Sequence, residues 1–311
     1  MDVILDVDPG VDDALAILLA LSSPELCVLG VTTVSGNVPL DRGTDNALRI
    51  LAFCGRADVP VYRGACQPLE KMRVHAEEVH GESGLGSACL PESEVEARDG
   101  AVGFLCKVLS EREGEVTVVA VGPLTNLALA ERQAPGILSK AREVVVMGGG
   151  VREPGNVTPT AEFNFFADPD AAQLVIASTG SVVLIPLDVT HRVRIPEADI
   201  VARLAHKATE RTRFFKQATQ AVVNFGKRTG GYEGLFLHDP TAVAFVLRPD
   251  LFGVETLFAD VEVGGALTAG QLVVDARDLV EIERKGFQTR VAMEVDADSV
   301  LRLFEERVFG G

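Results

Sequence analysis

The sequence predicts an α/β protein with a mostly parallel central sheet covered by helices on both faces. Three observations predict it. As far as Thr190, apolar runs of strand length alternate with stretches of helical period. The strand runs are continuous Val/Ile/Leu blocks and do not alternate with polar residues, as expected of strands covered on both faces. No Pro-, Gly- or Ser-rich linker, internal repeat or low-complexity tract divides the 311 residues, so 1–311 reads as a single domain.

The elements follow in order. Residues 3–8 read as the first strand and 11–22 as a helix, stopped by Pro24. Residues 27–33 are a second strand, and 40–54 have helical spacing with Gly55 at the end. A short strand at 59–62 precedes a helical stretch at 95–111 and a strand at 115–121. Then come a helix at 124–131, a strand at 143–147, a helix at 171–177 and a strand at 182–186. Asp168 is read as a helix cap, with Pro169 in the first turn. Beyond Thr190 the pattern changes: 200–223 is mostly helical, 240–246 is a short helix, and 254–295 carries β-like stretches.

Composition narrows the function. The chain is 47% hydrophobic and 24% charged, ordinary for a soluble globular protein. Asp and Glu number 45 against 29 Lys and Arg, a net charge of -16 that argues against nucleic-acid and membrane partners, which need clustered positive charge. No basic leader precedes an apolar stretch, and no apolar run reaches the ~18 residues that span a bilayer, so the expected location is cytoplasmic. Cys27, Cys54, Cys66, Cys89 and Cys106 form no C-x-x-C pair and are read as buried, reduced thiols.

The most informative segment is Asp6-Val7-Asp8-Pro9-Gly10-Val11-Asp12-Asp13, at the end of the first strand and the start of the first helix. Open α/β sheets bind ligands at the carboxyl ends of their strands. Asp6 and Asp8 share a side of the strand, and Asp12 and Asp13 fall in the first helical turn. One aspartate could simply cap the helix, but capping does not explain four. Like charges this close repel, and a hard divalent cation removes the repulsion. Oxygen-only ligands with no His or Cys nearby in the sequence point to Ca²⁺ or Mg²⁺, and Ca²⁺ tolerates an irregular carboxylate site better.

This run resembles the N-terminal signature of the nucleoside hydrolases, the inosine–uridine-preferring nucleoside N-ribohydrolases. Thr32-Thr33-Val34-Ser35-Gly36-Asn37, His80-Gly81-Glu82-Ser83-Gly84, Gly122-Pro123-Leu124-Thr125-Asn126 and Met147-Gly148-Gly149-Gly150 are similar to further family motifs. Ala161-Glu162-Phe163-Asn164 and His238-Asp239-Pro240 follow in family order, so the resemblance spans about residues 3–247. It implies an open, Rossmann-like sheet and hydrolysis of a ribonucleoside to ribose and free base. It further implies a Ca²⁺ held by the carboxylates of Asp8, Asp13 and Asp239 and the backbone carbonyl of Val121. Asp8 would be the general base. Asp12 would hold the ribose 2′-hydroxyl, Asn37 would support the metal and ribose end, and Asn156, Glu162 and Asn164 would bind ribose hydroxyls. A homodimer or homotetramer is also implied.

Glu162 and Asn164 alternate, so one strand-like segment could present both to one side. Asp6 is expected to hydrogen-bond locally. Met147, before three glycines, reads as a site wall. His238, beside Asp239, is the first choice for leaving-group acid, and His80 is the second, binding sugar or base. Phe163 is a candidate stacking residue, and Tyr232 is placed near the mouth of the site. His75, His191 and His206 are left as surface or structural residues. With no Trp in the chain, a stacking Trp is excluded.

A nucleoside is expected over a nucleotide, because four carboxylates repel phosphate and no motif carries a Lys or Arg clamp. The same argument disfavours a phosphate-dependent nucleoside phosphorylase. A haloacid-dehalogenase-like phosphatase would share only Asp6-Val7-Asp8. The reading from another class is a non-catalytic nucleoside-binding protein, which needs no general base.

Overall fold

The computed structural model describes residues 1–178, 180–204, 209–229, 231–277 and 283–310. The first half of the chain runs β1 (Asp2–Val7), α1 (Val11–Leu21), β2 (Cys27–Thr33), α2 (Leu40–Phe53), β3 (Val61–Arg63), α3 (Glu77–His80), β4 (Arg98–Asp99), α4 (Ala101–Glu111), β5 (Val116–Ala120), α5 (Thr125–Gln133) and β6 (Glu143–Met147). The second half continues through α6 (Phe163–Ala167), α7 (Pro169–Ser178), β7 (Val182–Ile185), α8 (Leu187–Thr190), β8 (Arg194–Pro196), α9 (Glu197–Leu204), α10 (Glu210–Thr229), β9 (Gly234–Phe236), α11 (His238–Leu247), β10 (Phe252–Val261), β11 (Leu272–Val274), β12 (Phe287–Val295) and α12 (Ala297–Phe309).

The main sheet has the order β11-β10-β12-β7-β6-β5-β1-β2-β3-β4. Pairing is parallel from β4 across to β12, and antiparallel where β10 meets β12 and β11. The expected fold class is therefore observed. The chain builds outward from β1 to β2, β3 and β4, then returns to add β5, β6 and β7 on the other side. The order reverses between β1 and β5, and a crevice opens there at the carboxyl ends of the strands. Asp8 follows β1, Asn37 follows β2, Val121 follows β5 and Met147 ends β6, so all four lie at the carboxyl end of the sheet where that crevice opens.

Burial explains the continuous apolar runs. Val3, Leu5 and Val7 face one core with α1 and α11, while Ile4 faces a second core with α4, α5 and α7. Helix α1 is buried almost all round, because α11 packs on it as well as the sheet. Each fully buried Leu or Ile there contributes roughly 1.5–3 kcal/mol over its exposed form. Leu15→Ala, at a fully buried position, would cost about 2–5 kcal/mol and loosen α1. The pairing of α1 with α11 has a chemical consequence: the first turns of both helices carry aspartates, and packing brings them together.

Several local expectations change. The helix expected at 95–111 starts only at Ala101, because Arg98 and Asp99 pair with β3 and Gly100 turns the chain at φ 91°. The 200–223 stretch holds the end of α9 and most of α10, with 205–208, including His206, outside the described residues. The Glu162–Asn164 segment is the start of a helix and not strand-like. The cysteines are not buried: Cys27, Cys66 and Cys89 are exposed and Cys54 and Cys106 half-buried, all as free thiols; all but Cys106, which lies within α4, sit in loops or at element ends, which run over the surface. Asp168 does cap α7, accepting from Ala171 N–H at 3.1 Å. Among the described residues no helix is long and apolar enough to cross a membrane.

Candidate active site

The acidic cluster is assembled by backbone donors. Asp13 accepts from Asp8 N–H and Gly10 N–H, both at 2.9 Å, and from the Asn37 amide at 3.0 Å. Asp8 Oδ2 accepts from Asn37 N–H at 2.6 Å. Two glycines make room for the Asp8 carboxylate. A Cβ on Gly36 would lie 2.0 Å from its Oδ2, and one on Gly122 would lie 2.7 Å from its Oδ1. Asp6, one step deeper, accepts from Thr32 and from Asn126 Nδ2 at 2.7 Å, as local bonding predicted.

What remains unpaired is informative. Among the described residues, Asp8 Oδ1 and Asp12 Oδ1 are buried with no hydrogen-bond partner, as is Asp6 Oδ2 one step deeper. Asp12, Asp13 and Asp239 each turn one carboxylate oxygen to within 4.8 Å of the others. The expected ligand set named Asp8 in place of Asp12; Asp8 is bonded to Asp13 through its own N–H and keeps its Oδ1 free. Burial pushes the Asp12 carboxyl up to about 6, and burial followed by Asp12's charge brings Asp13 to about 6 as well. Asp8 is raised well above the carboxylate range by burial and then by Asp13, and Asp239 by burial and then by Asp12. Such a cluster is costly to ionise on its own. Unpaired oxygens on an oxygen-rich donor set fit a hard divalent cation.

A cavity of about 230 Å³ opens beside the cluster. Of the residues singled out from the sequence, Asp12, Asn37, His80, Val121, Met147, Asn156, Glu162, Phe163, Asn164, His238 and Asp239 line it. Asp8 and Asp13 sit behind this layer. Tyr232 does not reach it, which corrects its placement at the mouth. Its ring packs on Phe236 with centroids 4.7 Å apart and lies under the Arg194 guanidinium, so Phe236 takes the place on the wall. Gly230, before Tyr232, lies outside the described residues.

The polar wall is built at the start of α6. Glu162 caps that helix, accepting from Asn164 N–H at 2.8 Å and from Phe165 N–H at 3.2 Å. It also accepts from Gly149 N–H at 3.1 Å, which ties α6 to the glycine run after β6. Burial raises its carboxyl to about 7, against the pull of these three N–H groups. Asn164 donates to the Val121 carbonyl at 2.8 Å and to the Met147 carbonyl at 3.2 Å. Asn156 accepts from Phe163 N–H at 2.9 Å.

Burial holds both histidines of the site neutral. His80 Nδ1 accepts from Val11 N–H at 3.1 Å, so its hydrogen sits on Nε2. Burial lowers it to about 4, which makes it a neutral donor. His238 Nδ1 lies 2.9 Å from the Thr190 hydroxyl, and burial, then His191, holds it down at about 3. It is therefore a neutral imidazole, able to stabilise a departing base by hydrogen bonding.

The residues that sequence reasoning missed form the apolar wall: Val222 and Phe225 from α10, Leu235 and Phe236 from β9, and Val79 and Val157. The signal for α10 was its apolar stripe, Phe214, Phe215, Ala218 and Val222, continued one turn further at Phe225. His75, left as surface or structural, lines the cavity too. No Lys or Arg does, among the described residues.

Comparison with known proteins gives a consistent result. The family model described as inosine-uridine preferring nucleoside hydrolase matches residues 3–302, beyond the 3–247 span of the sequence motifs. The pyrimidine-specific ribonucleoside hydrolase RihA of Photobacterium profundum is 39% identical over 312 residues, 98% of each chain. A solved plant nucleoside hydrolase, PpNRh1, superimposes with a TM-score of 0.93 at 32% identity, covering 100% of this chain and 99% of its own. A purine-preferring ribonucleoside hydrolase from Gardnerella vaginalis superimposes with a TM-score of 0.91 at 33% identity, covering 100% of this chain and 98% of its own.

Proposed function

This chain belongs to the inosine-uridine preferring nucleoside hydrolase family, and we propose that it cleaves the N-glycosidic bond of ribonucleosides to give ribose and free base. The observation that carries the mechanism is the pair of buried, unpartnered oxygens, Asp8 Oδ1 and Asp12 Oδ1, beside Asp13 and Asp239. Asp8, Asp13, Asp239 and the Val121 carbonyl would hold a Ca²⁺ ion, which when bound supplies a positive charge that acidifies and positions water. Asp8 Oδ1 is free to take the proton of the attacking water. Asp12, Asn156, Glu162 and Asn164 bind and orient the ribose hydroxyls, and Asn37, bonded to Asp8 and Asp13, supports the metal and ribose end. The carboxylates and amide dipoles around the sugar stabilise the positive charge that builds on it as the bond to the base lengthens.

The base leaves along the apolar wall, between Phe163, Phe225 and Phe236, with neutral His80 donating a hydrogen bond to it from Nε2, and His238 doing the same when the Thr190 hydroxyl gives its hydrogen to Nδ1. On balance the water's hydroxyl ends on the sugar carbon and its other proton on the base nitrogen. A binding protein would need the ribose contacts but not the free Asp8 oxygen. A phosphorylase would need a cation for phosphate, and the cavity offers no Lys or Arg among the described residues. A homodimer or homotetramer in the cytoplasm belongs to the same reading, and gel filtration tests the assembly.

The relatives' names differ in base preference, pyrimidine in RihA and purine in the Gardnerella enzyme. The test is therefore ribose release from inosine, adenosine, guanosine, uridine and cytidine, with and without phosphate, and with Ca²⁺ or a chelator. Phosphate-independent, chelator-sensitive release is expected. No release from any nucleoside, with metal bound, would favour the binding-protein reading.

A further inference from the structure

We propose that His75 is a specificity-determining residue whose imidazole Nε2 accepts a hydrogen bond from a ring N–H of the nucleobase. The inference rests on the nucleoside reading of the site and deepens it. His75 lies on the segment between β3 and α3, half-buried, and lines the cavity with His80. Its Nδ1 is 2.8 Å from the Gly36 carbonyl. A carbonyl only accepts, so Nδ1 carries the hydrogen and, in the neutral ring, Nε2 is left as a lone pair. Nε2 has no hydrogen-bond partner among the described residues, and the two ring nitrogens point in different directions. With Nδ1 committed to the loop, the Nε2 edge is the one left for the cavity.

The position is held twice over. Next to the ring, Ala76 N–H donates to the Asn37 carbonyl at 2.9 Å. Asn37 in turn donates to Asp8 and Asp13, so His75 is keyed to the acid cluster through two residues. On its other side α3 packs against α10, which supplies Val222 and Phe225. His75 thus stands where the acidic end meets the apolar wall.

The chemistry of that wall requires an acceptor. A base such as uracil or hypoxanthine carries a ring N–H that loses its water on entering the site. Buried without a partner, it would cost binding. His80 presents Nε2–H, a donor, and cannot serve. Glu78 also lines the cavity, but it is exposed, so its carboxylate keeps water and gives a weaker, less directional acceptor than the half-buried ring. The remaining carboxylates belong to the sugar end. A site built to pair with a substrate N–H discriminates strongly against an analogue that lacks it.

The experiment compares uridine with 3-methyluridine and inosine with 1-methylinosine, in which that N–H is replaced by a methyl group. The wild-type chain, His75→Asn and His75→Gln are used. The Asn amide can still donate to Gly36 but has nothing at the Nε2 position; the Gln amide reaches that position. The wild type is expected to prefer the unmethylated partner by on the order of ten-fold or more in kcat/KM. His75→Asn should lose that preference by slowing only the unmethylated substrates, and His75→Gln should recover part of it. An unchanged ratio in His75→Asn overturns the proposal and leaves His75 as a loop tether. A changed preference for ribose over deoxyribose in its place would assign the ring to the sugar and also overturn it. If the wild type turns over no nucleoside, the hydrolase reading fails by itself, and calorimetric binding of the same pairs decides on His75.

Discussion

The two ends of the cavity are built on different principles. The acidic end is made of strand termini and helix first turns, fixed by short backbone hydrogen bonds to Asp8 and Asp13 and by glycines that leave room for nothing else. The apolar end is made of side chains from α10, β9 and loops, held by packing. Directional bonds at the first end position the chemistry to fractions of an ångström. Dispersion at the second tolerates substitution and sets which base fits. A change at the acidic end should therefore cost turnover, and a change at the apolar end should cost affinity and selectivity.

The largest expected effect tests the first half of that contrast. Asp8→Asn keeps an oxygen for the Asn37 N–H but removes the proton acceptor, and should lower kcat by about 10²- to 10⁴-fold. Ribose release measures it; a variant that turns over normally would sink the general-base assignment. Gly36→Ala approaches the same carboxylate from outside. Its Cβ would need the space of Asp8 Oδ2, so it should also abolish activity. Gly103→Ala, with nothing within 4 Å of its Cβ, is the matched control and should be neutral or stabilise by about 0.4–1 kcal/mol.

Next in size is the metal. At 100 times its dissociation constant a bound ion adds about 2.7 kcal/mol of stability. Thermal unfolding with Ca²⁺ against a chelator should show a clear rise in Tm for the wild type, and little or none for Asp13→Ala or Asp239→Ala. An equal rise in all three would move the ion away from this cluster. At the apolar end, Phe225→Ala should raise KM about ten-fold with a smaller change in kcat, since stacking and burial are lost but the sugar contacts stay. A loss confined to kcat would break the contrast between the ends.

The same difference explains what could be read from the sequence. The acidic end lies in one run, residues 6–13, and in short motifs at strand ends, where sequence order and spatial order coincide. Asp239 comes from far along the chain, but it occupies the first turn of a short apolar helix that has to pack on α1. The apolar wall has no such local signature. Val222 and Phe225 look like any other residues of an amphipathic helix, and only the packing of α10 against α3 turns them to the cavity. Tyr232 misled because a glycine-flanked tyrosine looks like a mouth residue, yet its ring is captured by Phe236 and Arg194. His75 was passed over because its role depends on the Gly36 carbonyl, which no spacing reveals.

Glu162 stands between the two ends and gives the smallest and sharpest test. Burial raises its carboxyl from 4.5 to about 7 in the folded chain, with three N–H groups pulling the other way. Between those values the unfolded chain has released a proton that the folded chain retains. Stability from this group is therefore fully present below about 4.5 and is lost as pH rises through about 7. Glu162→Gln does not titrate. In the metal-free protein its Tm, relative to wild type, should climb as pH rises from about 5 to about 8. Ca²⁺ should flatten that climb, because Asp12's charge is one of the causes that hold the Glu162 carboxyl up, and a cation at the cluster offsets it. A difference that stays flat without metal would mean that the three N–H groups suffice to keep Glu162 ionised. In that case it belongs with the rigidly bonded acidic end, as a fixed acceptor for ribose hydroxyls across the whole pH range.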